Sequence, residues 1–265
     1  MALEQPPKKQ LEKATKVKRI LIAAALLAMY VWTFVSIDID FGRVIERASD
    51  NFARVIPRLF SPNWDMAGEV MEMMIETIFI AYVGSLAAAI LAVPLGFLAA
   101  QNISNSKIVS TFGKWVLSAV RAFPEIVLAI LFVVVVGPTP FAGILAIAIG
   151  STGMLGKLHA EVFEPIDMNV VEAMKANGSN TIQIMFHGII PQIIPEFLSY
   201  AIYRFEVDVR ASTILGYVGA GGIGTMIFFA QSSRNWSDMG MILLVIIVVV
   251  TIIDYGSSYI RKRIV

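Results

Sequence analysis

Six of the ionisable residues inside apolar stretches stand at spacings that could do chemistry. Arg121 and Glu125 lie in a run around 112–137, and Arg204, Glu206, Asp208 and Arg210 lie in a run around 197–217. At membrane depth such side chains are costly, and they face a bundle interior or a water-filled path. Their spacing limits what they can do. Arg121 and Glu125, Arg204 and Asp208, and Glu206 and Arg210 are each four residues apart, so each pair can neutralise itself on one helix face. Two readings fit. The pairs are internal salt bridges that lock a bundle, or they form a polar route for an anion with arginine as its guide. On the second reading Arg121, Glu125, Arg204, Glu206 and Arg210 are the pathway candidates. A place for Arg204 at the inner water boundary is compatible with both.

Other chemistries find little support. The two histidines, His159 and His187, lie far apart without further ligands, which fits a loop or surface role and no metal site. There is no cysteine, so neither a disulfide framework nor a thiolate site is available. The run Gly150–Lys157 (GSTGMLGK) imitates a phosphate-binding loop. Its glycines are one residue too far apart, and Leu158 replaces the required Ser or Thr. Gly216–Gly224 is glycine-dense but lacks the following Lys-Ser/Thr and any βαβ setting. Close helix packing or a re-entrant bend near an outer gate suits it better, with Gly219, Gly221, Gly222 and Gly224 as the candidates. No nucleophile–base constellation points to an enzyme. The basic residues flank apolar spans and orient them, which argues against nucleic acid.

The polar island Glu172-Ala173-Met174-Lys175-Ala176-Asn177-Gly178 interrupts this apolar chain. Val170, Ala173 and Met174 give a helical apolar face, and Gly178 can adopt the left-handed turn that stops a helix. Asn180 with Gln183 makes a capping-box start. Ile182, Met185, Phe186, Ile189 and Ile190 form the next stripe, which Pro191 should break. Two short helices joined at a glycine are expected.

Composition explains why such an island must be placed in water deliberately. The 265 residues are 57% hydrophobic and only 15% charged, with mean hydropathy +0.74. A soluble domain would carry about 25% charge, so the chain reads as an all-α, multi-pass membrane protein. Six spans are expected near 20–37, 75–100, 112–137, 141–155, 197–217 and 239–259, the fourth being short for a bilayer that needs roughly 20 residues. Pro94 and Pro124 fall within spans and can kink them.

A polar tail over 1–19 with Lys8, Lys9, Lys13, Lys16, Lys18 and Arg19, and a basic end over 261–265, put both termini in the cytoplasm. Lys107, Lys114, Lys157 and Lys175 then fall inside as well. The body is one transmembrane domain over 20–260. Within it lie an outer loop over 38–74 and a cytoplasmic loop over 157–195. The outer loop contains a possible surface helix over 41–64, ended by Pro57 and Pro62. The first span reads as a retained anchor, because Tyr30–Phe34 stands where a signal cleavage site would need small residues.

The polar island resembles the cytoplasmic "EAA" loop of ABC-importer permeases, whose pattern is Glu-Ala-Ala, three residues, Gly, nine residues, Ile-x-Leu-Pro. Glu172, Ala173, Gly178 and Pro191 match, Met174 and Ile190 depart conservatively, and Gly188 stands where Ile is usual. Arg121–Glu125, Gly137–Gly143, Arg210–Gly216 and Val218–Gly224 are similar to the phosphonate branch of that family, with Thr139 where Gly is common.

The resemblance implies a type I importer fold with about six transmembrane helices in the bacterial inner membrane. It implies a homodimer of this permease, two ATPase subunits that hold ATP and Mg, and an extracytoplasmic solute-binding protein. No cofactor would sit in this chain. Glu172, Ala173, Met174, Lys175, Gly178 and Pro191 would couple it to the ATPase. The solute would be phosphonate, phosphite, hypophosphite or phosphate. The alternatives are a methionine-type importer and an ion-coupled secondary carrier.

Overall fold

In the computed structural model, residues 13–36, 40–100, 106–163 and 165–264 are described. Of the polar tail, residues 1–12, with Lys8 and Lys9, lie outside them, and residues 13–19 open the first helix. The described residues form helices and turns without a strand. The chain divides into two compact units between Arg54 and Val55.

In the first unit, α1 (Lys13–Ser36) is apolar enough to cross a membrane over Thr15–Ser36. Helix α2 (Phe41–Leu59), most of which belongs to this unit, starts where the Asp40 carboxylate accepts the Arg43 N–H at 3.0 Å. Phe41, Val44, Ile45, Ala48, Phe52, Val55, Ile56 and Leu59 recur at three- and four-residue steps and make one apolar stripe. Arg43, Arg47 and Arg54 lie off it. Pro57 does not end the helix as expected but sits in its last turn, where it forfeits the one bond its N–H would have donated and only two more residues follow.

The second unit is built on α3 (Ala67–Ala99) and α6 (Pro140–Phe163). Glycines let them approach. A Cβ on Gly84 would stand 2.7 Å from Ile147 Cγ2, and one on Gly96 would stand 2.8 Å from His159 Cβ. In lipid, where no hydrophobic effect joins helices, such close backbone approach supplies the packing. Around this pair lie α4 (Lys107–Ala122), α5 (Glu125–Val136), α9 (Ile190–Tyr217), α10 (Ile223–Ser232) and α11 (Trp236–Ile264). Val70, Met74, Val209, Ile223 and Ile242 form the core between α3, α9, α10 and α11.

Several expected spans change shape. The third is not one rod. Phe123 and Pro124 are extended, and α4 and α5 meet at 78°. The residue before a proline disfavours helix, and proline lacks the N–H to continue one. The fourth is not short, because α6 runs 24 residues to Phe163, so the loop expected from 157 begins inside a helix. The second begins earlier, at Ala67, and passes through Pro94 to Ala99.

Among the described residues four helical segments are long and apolar enough to span, and the bent α4–α5 pair makes a fifth if it counts as one span. The remaining expected span, α9, has 28 residues, but Arg204, Glu206, Asp208 and Arg210 make it too polar to qualify alone.

Candidate functional site

Asp208 is the hub of the membrane interior. Its side chain is wholly buried, and Arg204 Nε, one turn away on α9, pairs with Oδ1 at 2.8 Å. Ser85 Oγ of α3 donates to Oδ2 at 2.6 Å, and Ser151 Oγ of α6 lies 2.9 Å from Oδ1. The Arg204 guanidinium also reaches Glu125, at the start of α5. Four helices are thereby tied by one connected set of polar groups. A buried charge left alone would be far costlier than this set, in which each member has partners.

Glu125 joins Arg204 instead of Arg121. The expected Arg121–Glu125 pair does not form, because the bend at Phe123–Pro124 destroys the helical register that a four-residue spacing assumes. Gly150, Gly153 and Gly156 explain the false phosphate-loop signature. They recur every three residues on α6, and α4 and α5 pack on that face. A Cβ on them would stand 2.8 Å from Glu125 Cγ, 2.9 Å from the Arg121 backbone N and 2.5 Å from Leu117 Cδ2, respectively. Ser85, Ser151 and the central role of Asp208 carried no sequence signal beyond the Arg204–Asp208 spacing.

A second ionic network runs along the α9–α11 contact. Arg210 Nη2 contacts Glu206 at 2.7 Å and Asp254 at 2.7 Å, and Arg261 reaches the other Glu206 oxygen at 3.0 Å. The Arg261 guanidinium also lies over the Tyr203 ring, 5.6 Å from its centre. Here the Glu206–Arg210 spacing does produce a pair, while Arg210 and Asp254 remain more than a third exposed.

The loop after α6 is helical. Asp167 caps α7 (Met168–Ala176) by accepting the Asn169 N–H at 2.9 Å. Gly178 then takes φ +79°, with its N–H to the Lys175 carbonyl at 2.9 Å and the Ser179 N–H to that of Met174 at 3.0 Å. That left-handed closure suits glycine. Asn180 and Gln183 form the reciprocal capping box at the start of α8 (Thr181–Ile184), with bonds of 2.8 and 2.9 Å.

Pro191 does not break the following stripe. A π turn over Met185–Ile189 leads straight into α9, where Pro191 occupies the first turn, a position that needs no N–H donor. Glu172, Ala173 and Lys175 are exposed, whereas Met174 is half-buried. The Met174 thioether fills the space above Gly188, where a Cβ would come within 3.0 Å of Sδ. The two departures from the loop pattern therefore touch: a larger residue on α7 faces a smaller one on the π turn.

The glycine run closes α9 onto α10. Gly219, Gly221 and Gly222 have φ of +95°, +80° and +73°. The Gly222 N–H donates to Glu76 Oε1 at 2.9 Å, and the Ile223 N–H to Thr77 Oγ1 at 2.8 Å, which anchors the start of α10 on α3. A Cβ on Gly224 would collide with the Thr213 carbonyl, so the run provides close packing.

His159 is not a loop or surface residue. It is buried in α6, stacked on Phe197 with ring centres 3.8 Å apart. His187 is exposed, with Nδ1 3.2 Å from the Gln183 carbonyl oxygen. Among the described residues no group of three His, Cys, Asp or Glu side chains could hold a metal ion.

Comparison with known proteins places this arrangement. Residues 92–265 match the family described as "Binding-protein-dependent transport system inner membrane component". The phosphate-import permease protein PhnE of Mycolicibacterium smegmatis is 36% identical over 248 residues, which cover 93% of this chain and 43% of that protein. The chain thus spans less than half the length of that relative. The phosphite transport system permease protein PtxC of Stutzerimonas stutzeri is 37% identical over 190 residues, covering 72% and 69%. Among solved structures, a chain of the inward-facing MetNI methionine ABC transporter superposes with a TM-score of 0.68, covering 77% of this chain and 99% of that one at 20% identity.

Proposed function

The chain belongs to the family of binding-protein-dependent transport system inner membrane components, and from that premise we propose that it is the membrane-spanning permease of an ATP-driven importer for a small phosphorus oxyanion. Phosphonate, phosphite, hypophosphite and phosphate form that class. The observation that carries the solute class is the 36–37% identity to a phosphate and a phosphite permease, against 20% for the methionine transporter that shares the fold.

Two copies of the permease form the pathway. Two ATPase subunits beneath them bind ATP and Mg, and an extracytoplasmic binding protein delivers the solute. Both termini face the cytoplasm. Glu172, Ala173, Met174, Lys175, Gly178 and Pro191 form the coupling element. Its support is a rigid, doubly capped pair of helices with an exposed polar rim, which suits a lever driven by a partner protein. Nucleotide-driven closure of the ATPase shifts the permease between two packings of its spans.

Of the pathway candidates, Arg204 and Glu125 are already matched by buried partners, which favours bracing. Arg121 and Arg210 are the ones assigned to the anion: Arg121 has no ion pair among the described residues, and Arg210, though paired with Glu206 and Asp254, keeps 45% of its side chain exposed. Gly219, Gly221, Gly222 and Gly224 hold the gate by close packing.

Gentle recovery of the chain from native membranes tests the assignment. An ATPase at equal stoichiometry is expected, and a stable complex without one returns the ion-coupled carrier. Gly178→Asp should leave membrane insertion intact and separate ATP hydrolysis from uptake, whereas normal uptake by that variant rejects the coupling role.

A further inference from the structure

A cavity of about 240 Å³ lies between the end of α3, α4 and α6, with Ala99, Lys114, Ser118, Arg121, Lys157 and Glu161 on its walls. It is far larger than the roughly 10–15 Å³ that one water needs. Three cations face it against one carboxylate, and that carboxylate already stands 3.8 Å from Lys157 Nζ. The Ser118 hydroxyl donates to the Lys114 carbonyl oxygen at 2.8 Å.

Two features of the fold bring the cations together. Gly153 and Gly156 let α4 press onto α6 at Arg121 and Leu117. The 78° bend after α4 also carries Glu125 away to Arg204. Arg121 is therefore left without an ion pair among the described residues, beside the contact of α4 with Gly153 of α6. Arg121 and Lys157 remain open to solvent here, so an anion can reach both without first displacing a buried partner.

We infer that this cavity is a binding site for a phosphate-type oxyanion group. The Arg121 guanidinium offers a planar fork that matches two phosphate oxygens, and the lysines supply point charges. The cavity lies where α3 ends at Ala99, at the limit of an apolar helix. A free phosphorus oxyanion and the phosphate of an anionic lipid both reach that level, and they share the chemistry the site recognises. The inference rests on the importer reading only in giving Arg121 to an anion, and deepens it by naming the cavity and the partner cations that would hold that anion.

The test uses the full-length permease without its ATPase. In discs of phosphatidylcholine, equilibrium dialysis with labelled inorganic phosphate reads the free anion. In discs containing phosphatidylglycerol, native mass spectrometry counts that lipid retained by the protein. The wild type should bind one of the two saturably. Arg121→Gln should weaken that binding at least tenfold, with Arg121→Lys in between. Lys157→Gln, at an exposed position, should weaken it severalfold without changing the melting temperature. Phosphate bound in the first arm identifies a solute station, and phosphatidylglycerol retained in the second identifies a lipid site. Binding of neither probe by the wild type, or undiminished binding by Lys157→Gln and Arg121→Gln, overturns the inference. ATPase recovery is measured separately, so either conclusion can fail alone.

Discussion

Helix α9 carries two ionic networks built on the same four-residue spacing, and their surroundings make them different objects. Arg204 and Asp208 are 7% and 0% exposed and are tied to three other helices. Arg210 and Asp254 are 45% and 37% exposed and join α9 only to α11. In the first network the charges have lost their water, and every partner is needed to offset that loss. In the second, the charges keep room on one side for water, a protein surface or a passing anion. One spacing can thus serve as a brace or leave a charge available, and burial decides which.

The sharpest way to break this contrast is Asp208→Ala. It takes away one of the two carboxylates that match Arg204 and leaves the Ser85 hydroxyl without its acceptor, so a loss of up to about 3–5 kcal/mol is expected, read as a collapse of the detergent melting temperature and of folded yield. A variant that melts like the wild type would place Asp208 outside the brace. A double-mutant cycle between Arg204 and Asp208 should next return a coupling of about 2–3 kcal/mol. The same cycle between Glu206 and Arg210 should return less, about 1 kcal/mol, because water reaches the half-exposed Arg210 and Arg261 remains as a second partner for Glu206. Equal couplings would erase the distinction.

Arg210→Gln sharpens the functional side. It should move stability by less than about 1 kcal/mol and still cut uptake while ATPase association persists. Unchanged uptake across a concentration series would return Arg210 to a structural role. Smallest of all is Arg261→Lys, which keeps the charge on Glu206 but replaces the guanidinium over Tyr203. A change of about 0.5–1 kcal/mol is expected, measurable only in a thermal series.

Much of this could be read along the chain. The capping box at Asn180 and Gln183, the turn at Gly178 and the Arg204–Asp208 and Glu206–Arg210 pairs are local, and local spacing fixes them. Pro191 misled because a proline in the first turn of a helix gives up no needed donor, and Pro57 misled because one missing bond did not stop the helix two residues short of its end. Arg121 and Glu125 misled because a four-residue rule holds only while the helix continues, and the helix ends between them. His159 gave no warning, since nothing near it in sequence announces Phe197 or Gly96 as neighbours.

The sequence by itself determined that this is a helical membrane protein with a polar, glycine-jointed loop. Long apolar runs leave no other way to satisfy the backbone in lipid, and the loop's caps involve residues only a few positions apart. The tertiary structure alone decided which charges meet. Glu125 finds Arg204, Asp208 gathers Ser85 and Ser151, and Arg121 turns to a cavity with Lys114 and Lys157. Those partners are distant in the chain. They are brought together by a bend at Pro124 and by glycine faces that let helices touch, and the resulting distances exist only once the helices have packed.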